Sequence, residues 1–243
     1  MRHIKTFAIL LGVALLQSCS SPRQAAKATE KITASCPDAT RILPGYPSFE
    51  DKAAFYNDSL LYERGKALRG TERGKQAVKD ADMQLDFYLK RYGDVMGVTL
   101  SEQGTPATAE CLKALFAFTG QGIKNAKGAF ERERPFRHFN EPSAVPADEN
   151  GIGRSSSYPS GHAIIAWVAA LALSSIDEAH QYEILKLGYE LGQSRVIVGF
   201  HYQSDVDAGR LLASAVYARI VSDPAFIKLM DAAREELKAK KGF

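Results

Sequence analysis

Apolar residues recur along the chain at helical spacing. Phe55, Leu60 and Leu61 follow a period near 3.6 residues, and residues 163–176 form an almost uninterrupted apolar run. No convincing stretch alternates apolar and polar residues as a half-buried strand does. The pattern predicts helices over residues 48–68, 71–92, 106–133, 163–176, 178–192, 206–221 and 224–241. We therefore expect an all-α fold, a single-domain helical bundle with buried central helices.

Two stretches interrupt this helical pattern. Residues 20–47 contain several prolines and little periodicity, so we expect a linker or extended arm there. Pro135 ends the helix before it, and residues 136–158 then form a long connection. Ordered loops of that length are often functional. We place one globular domain over residues 48–243.

The first residues have the pattern of an export signal. Arg2 and Lys5 precede an apolar run of about ten residues, which is too short to span a bilayer but suits a signal peptide. Residues 16–19 resemble a bacterial lipobox, in which Cys19 would be lipidated. We therefore predict a signal peptide over residues 1–19 and a periplasmic or outer-membrane-anchored protein. Plain secretion and lipidation of Cys19 both stay open.

Composition excludes several classes of protein. Apolar residues make up 45% and charged residues 24% of the 243 residues, as in ordinary globular proteins. The 31 Lys and Arg nearly balance the 28 Asp and Glu, and no basic stripe alternates with aromatic residues, so we expect no nucleic-acid partner. Three cysteines without a CxxC pair favour neither a disulfide-rich miniprotein nor a zinc site. In an oxidising compartment Cys36 and Cys111 could form a disulfide, and two unpaired thiols are the alternative.

The first segment that could bind or react with a ligand lies at the end of the predicted helix over 106–133. Lys127 and Arg134 are seven residues apart, so we expect both on one helix face. Glu131 lies at i+4 from Lys127 and could pair with it. On that alternative, the segment would be a solvated basic face.

The second segment opens the apolar helix. Ser160 suits an N-cap, Gly161 lets backbone come close to a ligand, and His162 lies in the first turn. The first amides of a helix attract an anion. A polar cap on a core helix is the structural alternative.

The third segment spans residues 194–205. His201 and Asp205 are i,i+4, so a helical turn would place the carboxylate beside the imidazole. A carboxylate that holds one ring nitrogen leaves the other available as a nucleophile. A structural hydrogen bond is the alternative for an isolated His/Asp pair.

Together the segments favour an oxyanion site. Lys127, Arg134 and Arg195 supply cations, and the helix N-terminus supplies amides, which together are what a phosphate group needs. No cluster of Asp, Glu and His has convincing metal spacing. We therefore expect neither a metal ion nor another cofactor, with the positive charge coming from side chains.

The order and spacing of the segments resemble the signature of the type 2 phosphatidic acid phosphatase and vanadium haloperoxidase superfamily. That signature is Lys-x6-Arg-Pro, then Pro-Ser-Gly-His, then Ser-Arg-x5-His-x3-Asp. Every position is present, at Lys127, Arg134, Pro135, Pro159, Ser160, Gly161, His162, Ser194, Arg195, His201 and Asp205. Within the superfamily the chain resembles bacterial class A non-specific acid phosphatases, through residues 54–58, 70–75, 188–192 and 203–208. The loop over 136–157 departs from that class.

The resemblance implies a metal-independent acid phosphatase domain over residues 48–243 that hydrolyses small phosphate monoesters. His201 would attack phosphorus and form a phosphohistidine, Asp205 would orient it, and His162 would act as acid and base. The implied phosphate-binding residues are Lys127, Arg134, Ser160, Gly161 and Arg195. We also expect some phosphate transfer to alcohols and the formation of a homo-oligomer. We expect contact with a membrane only through a lipid anchor.

Three other functions use similar residues. A vanadate-dependent haloperoxidase would bind vanadate in the same pocket, although such enzymes are usually much longer chains. A lipid-phosphate phosphatase would act at a membrane surface, but the sequence lacks the run of about 20 apolar residues that an integral-membrane enzyme needs. A non-catalytic phosphate-binding protein would need only the cations, so the presence of His162, His201 and Asp205 argues against this function.

Overall fold

The computed structural model describes residues 31–242, and within that range every regular element is a helix. The α-helices are α1 (Lys52–Leu68), α2 (Glu72–Lys79), α3 (Leu85–Met96), α4 (Pro106–Ala129), α5 (Pro135–His138), α6 (Gly161–Ile176), α7 (Gln181–Ile197), α8 (Gln203–Ile220) and α9 (Pro224–Lys241). Short 3-10 turns lie at residues 39–41, 146–148, 152–154 and 178–180. The predicted all-α fold is confirmed. Between residues 31 and 242, none of the helices combines the length and the hydropathy that crossing a membrane requires.

The apolar run becomes α6, the central helix of the bundle. Ile164, Ala169 and Leu173 have no exposed surface, and α6 packs mainly against α7 and α8. Burial on nearly every side explains why its sequence shows no polar face. Helix α4 packs against α9 and joins the same apolar core. This packing places the start of α6 beside the junction of α7 and α8, where the second and third chemical segments lie.

Residues 31–47, the described part of the predicted arm, lie on the helical core. The backbone N–H groups of Thr33 and Ala34 each donate to Asp223 Oδ2 at 2.8 Å, in the turn between α8 and α9. Ala39 and Leu43 are buried in the main apolar cluster. The domain boundary at residue 48 stays a prediction. The signal peptide over residues 1–19 and the lipidation of Cys19 lie outside the described residues.

The prediction of one helix over 71–92 is wrong, because the structure divides this stretch into α2 and α3. Asp80 turns inward and is 4% exposed. Its carboxylate accepts hydrogen bonds from Gln76 Nε2 at 2.7 Å and from Ser194 Oγ at 2.6 Å. Residues 80–84 bend to make this contact instead of continuing the helix. Ser194, the partner of Asp80, lies on α7. That helix ends at Ile197 and not at residue 192 as predicted.

The expectation that Lys127 and Arg134 share a helix face is also wrong, because α4 ends at Ala129. The chain is extended after Ala129, with Arg134 at φ −79° and ψ 153°. The backbone of this segment binds the neighbouring loop instead of itself: the carbonyl of Arg132 accepts from the N–H of Ser157 at 2.8 Å. Lys127 therefore lies in the last turn of α4, and Arg134 lies in the extended segment that follows.

The disulfide between Cys36 and Cys111 is not formed, and both thiols are free. Cys111 Sγ lies 3.6 Å from Met230 Sδ, whereas Cys36 Sγ lies beside Gly122. Gly122 is eleven residues beyond Cys111 in α4, which corresponds to about 16 Å along a helix. A disulfide spans far less than that. The structure shows the alternative of two unpaired thiols.

Candidate active site

The second chemical segment begins α6 and lies against the start of α8. Ser160 caps α6, since its Oγ accepts a hydrogen bond from the N–H of Ala163 at 3.4 Å. The N–H of Ser160 itself donates to the carbonyl of Asp205 at 2.9 Å. Gly161 is the first residue of α6 and His162 is the second. The predicted cap is therefore present, and a backbone bond ties it to the third segment.

Helix α8 approaches this cap closely because residue 209 is glycine. A Cβ atom on Gly209 would lie 2.9 Å from the backbone carbonyl oxygen of Ser160. Backbone cannot move aside as a flexible side chain can, so a larger residue would push α8 away from the start of α6. The small residue thus sets the distance between the second and third segments.

The end of α7 places His201 through a Schellman motif. Gly199 has φ +76°, its N–H donates to the carbonyl of Val196, and the N–H of Phe200 donates to the carbonyl of Arg195 at 3.1 Å. This pair of bonds is the usual way a helix ends in a left-handed glycine. The N–H of His201 also donates to the carbonyl of Arg195, at 3.2 Å. The turn therefore holds His201 at a set position relative to Arg195.

His201 and Asp205 are brought together as their spacing predicts. Asp205 Oδ2 lies 3.3 Å from His201 Nδ1 and also accepts from Ser157 Oγ at 2.5 Å and from the N–H of Tyr202 at 2.9 Å. His201 precedes α8 instead of lying in its first turn. Burial and the positive charge of Arg134 hold the pKa of His201 well below its usual value. The imidazole is therefore neutral near pH 7, and the carboxylate contact indicates that Nδ1 carries the proton and Nε2 the lone pair.

Arg134 faces that lone pair. Its Nη1 lies 3.1 Å from His201 Nε2 and donates to the carbonyl of Phe200 at 3.0 Å, while its Nε donates to the carbonyl of Ser155 at 3.1 Å. Burial lowers the pKa of Arg134 to about 10, and the nearby charge of Arg195 acts in the same direction. Arg134 stays a cation at that pKa, so a positive charge lies directly in front of Nε2.

Lys127 is held by the loop that precedes α6. Its Nζ donates to the carbonyls of Ser156 at 2.6 Å and Pro159 at 2.8 Å. The alternative pairing with Glu131 is not made, because the helix ends before the i+4 position. Burial and the charge of Arg134 lower the pKa of Lys127 to about 7. Lys127 is therefore a cation at acid pH and loses its proton near neutrality.

His162 is oriented by the bend between α2 and α3. Its Nε2 lies 2.9 Å from the carbonyl oxygen of Ala81. Asp80, the preceding residue, is tied to Ser194 on α7, so the carbonyl that faces His162 belongs to an anchored segment. Burial and the charge of Arg195 hold the pKa of His162 well below its usual value.

Arg195 is the most unusual group of the site. Its side chain has no exposed surface, and none of its three guanidinium nitrogens has a hydrogen-bond partner within residues 31–242. Its guanidinium lies 4.9 Å from the ring centre of Phe200. Burial lowers its pKa to about 10, so it still carries its charge. A buried cation without partners is matched to an anion from outside the protein.

These groups can bind and attack an oxyanion. A polar cavity of about 390 Å³ opens beside two of the cations. Across residues 31–242, no three His, Cys, Asp or Glu side chains are grouped as a metal site would need. The cavity is lined by Lys127, Glu131, Arg132, Glu133, Arg134, Arg137, Gly153, Arg154, Ser155 and Ser156.

Four residues that contact the site were not predicted. Ser157 and Arg132 hold the Asp205 carboxylate, Asp58 holds Arg132, and Asp80 anchors the bend beside His162. Their spacing gives no local signal. Asp58 does lie in the stretch over 54–58 that resembles class A acid phosphatases, and this resemblance is the one sequence feature that points to it.

Comparison with known proteins agrees with the geometry. The model of the PAP2 superfamily matches residues 109–226. The chain is 40% identical over 206 residues to a non-specific acid phosphatase of Providencia stuartii, covering 84% of this chain and 83% of that protein. It is 40% identical over 199 residues to a non-specific acid phosphatase of Salmonella typhimurium, covering 82% and 79%. It is 35% identical over 182 residues to an acid phosphatase of Zymomonas mobilis, covering 75% and 69%. With the three segments assembled into one buried site and this similarity over most of its length, the chain belongs to the non-specific acid phosphatases of the PAP2 superfamily.

Proposed function

We propose that this protein is an exported, metal-independent acid phosphatase that hydrolyses a broad range of phosphate monoesters through a phosphohistidine at His201. The observation that carries the proposal is the buried guanidinium of Arg195, which lacks a partner among the described residues. This guanidinium lies close to the imidazole of His201, which is neutral and whose Nδ1 faces Asp205. A phosphate group would supply the missing partner and place phosphorus in front of Nε2.

In the first half-reaction, His201 Nε2 attacks phosphorus in line with the ester oxygen. The N–P bond forms as the P–O bond to the alcohol breaks, and His162 gives its proton to the departing oxygen. Arg134 Nη1, now 3.1 Å from Nε2, would turn to the phosphoryl oxygens. Lys127 and Arg195 would bind the same oxygens, together with Ser160 and the amide of Gly161. These cations act most strongly on the charge that develops in the transition state.

The second half-reaction regenerates the enzyme. Neutral His162 takes a proton from water, and the water oxygen attacks phosphorus as the N–P bond breaks. His201 then leaves as a neutral imidazole, still held through Nδ1 by Asp205. An alcohol in place of water would receive the phosphoryl group, so transfer is the expected side activity.

The charges of the site favour activity at acid pH. Lys127, with a pKa of about 7 set by burial and Arg134, is a cation below that pH and neutral above it. In the empty site His162 has a strongly lowered pKa because of burial and Arg195, and a bound phosphate would raise that pKa by offsetting Arg195. Both groups need a proton to act. We therefore expect kcat/KM to fall as the pH rises through about 7.

The test is hydrolysis of p-nitrophenyl phosphate between about pH 4 and pH 9, in EDTA. Activity that resists EDTA and declines above neutrality is the expected result. Labelled substrate quenched in alkali, where a phosphohistidine survives, should label the wild type. His201→Ala should abolish the label, whereas His162→Ala should accumulate it, because p-nitrophenol leaves without an acid but hydrolysis needs the base.

Two results would overturn the proposal. One is a label that persists in His201→Ala, which would place the covalent bond elsewhere. The other is a rate that climbs steadily above pH 8. Bromide oxidation after addition of vanadate, with no phosphatase activity, would instead favour the haloperoxidase alternative.

Export is the part of the proposal that rests on the leader pattern alone. Its test is expression in a bacterium, followed by fractionation and mass spectrometry of the mature N-terminus. A chain that keeps residues 1–19 in the cytoplasm would contradict export. A diacylglycerol on Cys19 would favour the membrane-anchored form over plain secretion.

A further inference from the structure

Arg132 lies in the sequence between the predicted phosphate-binding residues Lys127 and Arg134, but its guanidinium is bound by side chains of the protein itself. It is 4% exposed, and its Nη1 donates to Asp205 Oδ1 at 2.5 Å and to Ser204 Oγ at 2.7 Å. Its Nη2 donates to Asp58 Oδ2 at 2.7 Å. Both terminal nitrogens are therefore committed to buried oxygens. This geometry is that of a bridge between two carboxylates, and Nε is the one guanidinium nitrogen without a hydrogen-bond partner among residues 31–242.

Both oxygens of the Asp205 carboxylate are held, one of them by the Arg132 side chain. Its guanidinium binds Oδ1, while its backbone carbonyl accepts from the N–H of Ser157 at 2.8 Å. Ser157 in turn donates its hydroxyl to Oδ2, the oxygen that faces His201 Nδ1. The carboxylate is therefore fixed from both sides. Its rotation, which would remove Oδ2 from the imidazole, is opposed by the guanidinium at Oδ1 and by Ser157 and the N–H of Tyr202 at Oδ2.

The other side of Arg132 is equally anchored. Asp58 on α1 binds its Nη2 and also accepts from the N–H of Ser204 at 2.8 Å. The guanidinium stacks on the ring of Tyr202, 4.1 Å from its centre. Burial alone would lower the pKa of Arg132, but the charges of Asp205 and Asp58 outweigh burial and raise it. The group is a permanent cation between two buried aspartates.

We infer that Arg132 is a positioning residue for the nucleophile, which holds Asp205 with Oδ2 turned toward His201 and carries the charge that lets Asp58 and Asp205 lie side by side. The inference rests on the proposed role of His201. When His201 gains a bond to phosphorus its ring becomes cationic, and a correctly turned, ionised Asp205 stabilises that ring. Without the guanidinium, Oδ1 loses its charged partner and the carboxylate is held at Oδ2 alone, so it is less firmly fixed when the ring becomes charged.

The experiment compares Arg132→Ala with Arg132→Lys and Asp58→Asn in the full chain. The measured quantities are the burst of p-nitrophenol that reports phosphorylation, kcat, and the inhibition constant of inorganic phosphate. We expect Arg132→Ala to slow phosphorylation by about 10- to 100-fold, the size of effect that follows when a group orienting a metal-bound histidine is removed. Asp58→Asn should have a smaller effect in the same direction. The inhibition constant of phosphate should not change, because Arg132 does not bind the phosphate.

A matched control uses another arginine that is paired on α8. Arg210 is largely buried, and its Nη1 donates to Asp207 Oδ1 at 2.9 Å, but it has no contact with Asp205. Arg210→Gln should lower thermal stability and leave phosphorylation unchanged. Added guanidinium ion should restore part of the phosphorylation rate in Arg132→Ala and none in Arg210→Gln. A purely structural role of Arg132 would show no such rescue.

The outcomes separate this inference from the proposed function. If the wild type forms no phosphohistidine at His201, the proposed function fails. If the wild type forms it and Arg132→Ala and Asp58→Asn form it at the same rate, the inference alone fails. A loss of phosphate inhibition in Arg132→Lys would make Arg132 a phosphate ligand and would also overturn the inference. If Arg132→Ala does not fold, the burst rates of Arg132→Lys and Asp58→Asn test the inference. Unchanged rates in both variants would contradict a positioning role.

Discussion

At the scale of single residues, the site is defined by charge that the empty protein leaves uncompensated. Arg195 is fully buried and has no hydrogen-bond partner among residues 31–242. Taking a cation out of water without pairing it costs free energy. Active sites commonly carry such groups at the expense of stability. The same residue that would bind the ligand therefore weakens the fold when the ligand is absent.

Replacement of this arginine should separate stability from binding. We expect Arg195→Met to raise the free energy of unfolding of the empty protein by about 0.5–2 kcal/mol, because methionine fills the space without an unpaired charge. Inorganic phosphate should raise the Tm of the wild type and leave that of Arg195→Met unchanged, since a ligand stabilises only the state that binds it. Thermal unfolding with and without phosphate measures both effects.

Arg210→Met is the matched control for this measurement. Arg210 is also buried for the most part, but it donates to Asp207 and to the carbonyl of Tyr189. Its loss should lower Tm and leave the effect of phosphate intact. A lower Tm in Arg195→Met would contradict this prediction. It would show that the negative charges of Asp148 and Asp80 stabilise the Arg195 cation in the empty protein without hydrogen-bonding to it.

At the scale of secondary-structure elements, the junction of α7 and α8 determines where the nucleophile lies. The Schellman bonds end α7 at Ile197, and the left-handed Gly199 turns the chain so that His201 precedes α8. Spacing predicted the His201 and Asp205 contact, which the structure shows at 3.3 Å. It did not predict that the histidine lies outside the helix.

Gly199→Ala should disturb stability and catalysis together. A left-handed conformation costs an L-residue about 1–2 kcal/mol, and a Cβ atom there would also collide with the guanidinium of Arg69. We expect Tm and kcat both to fall, because the strained turn carries His201. Gly120→Ala on α4 is the control, since nothing lies within 4 Å of a Cβ there and alanine favours a helix. A Gly199→Ala variant with normal kcat would show that the turn does not set the position of His201.

Element boundaries were predicted where the signal is local and missed where it is distant. Pro106 and Pro224 each begin a helix as expected. The breaks at 80–84 and 130–134 depend on partners far along the chain. Asp80 binds Ser194, 114 residues away, and Arg132 binds Asp205, 73 residues away. A local window of sequence contains neither partner, so helical periodicity continued the predicted helices through both breaks.

At the scale of the whole molecule, Asp223 joins the arm to the helical core. Its carboxylate accepts from Thr33 and Ala34 and caps α9 through the N–H of Ala225 at 2.9 Å. Burial by itself would raise the pKa of Asp223, but the donated N–H groups outweigh it and lower the pKa to about 2. A lowered pKa means that this stabilisation is complete above the usual value of about 4 and is lost only as the pH falls toward 2. The arm should therefore stay attached at the acid pH where the enzyme is expected to work.

Asp223→Ala tests this attachment. We expect a lower Tm at pH 5 and faster proteolysis within residues 31–47, because the arm loses its bonds to the turn between α8 and α9. The difference in stability from the wild type should shrink as the pH approaches 2, where the wild-type carboxylate is protonated. Asp231→Ala, which removes an exposed pair with Arg234 on the same helix, should leave proteolysis unchanged. Equal proteolysis of the two variants would contradict the role of Asp223.

The sequence by itself determined the fold class, the central helix and the residues that form the site. Helical periodicity and the apolar run at 163–176 are local properties, and the resemblance to the three-segment superfamily signature names Lys127, Arg134, His162, His201 and Asp205. The tertiary structure decided how these residues are held: Arg134 reaches the site from an extended segment, Ala81 faces His162, and Arg132 with Asp58 fixes Asp205. It also places Cys36 of the arm beside Gly122, away from Cys111 on α4. The physical reason is that burial and pairing of charges arise between segments distant in sequence, so they exist only once the helices have packed.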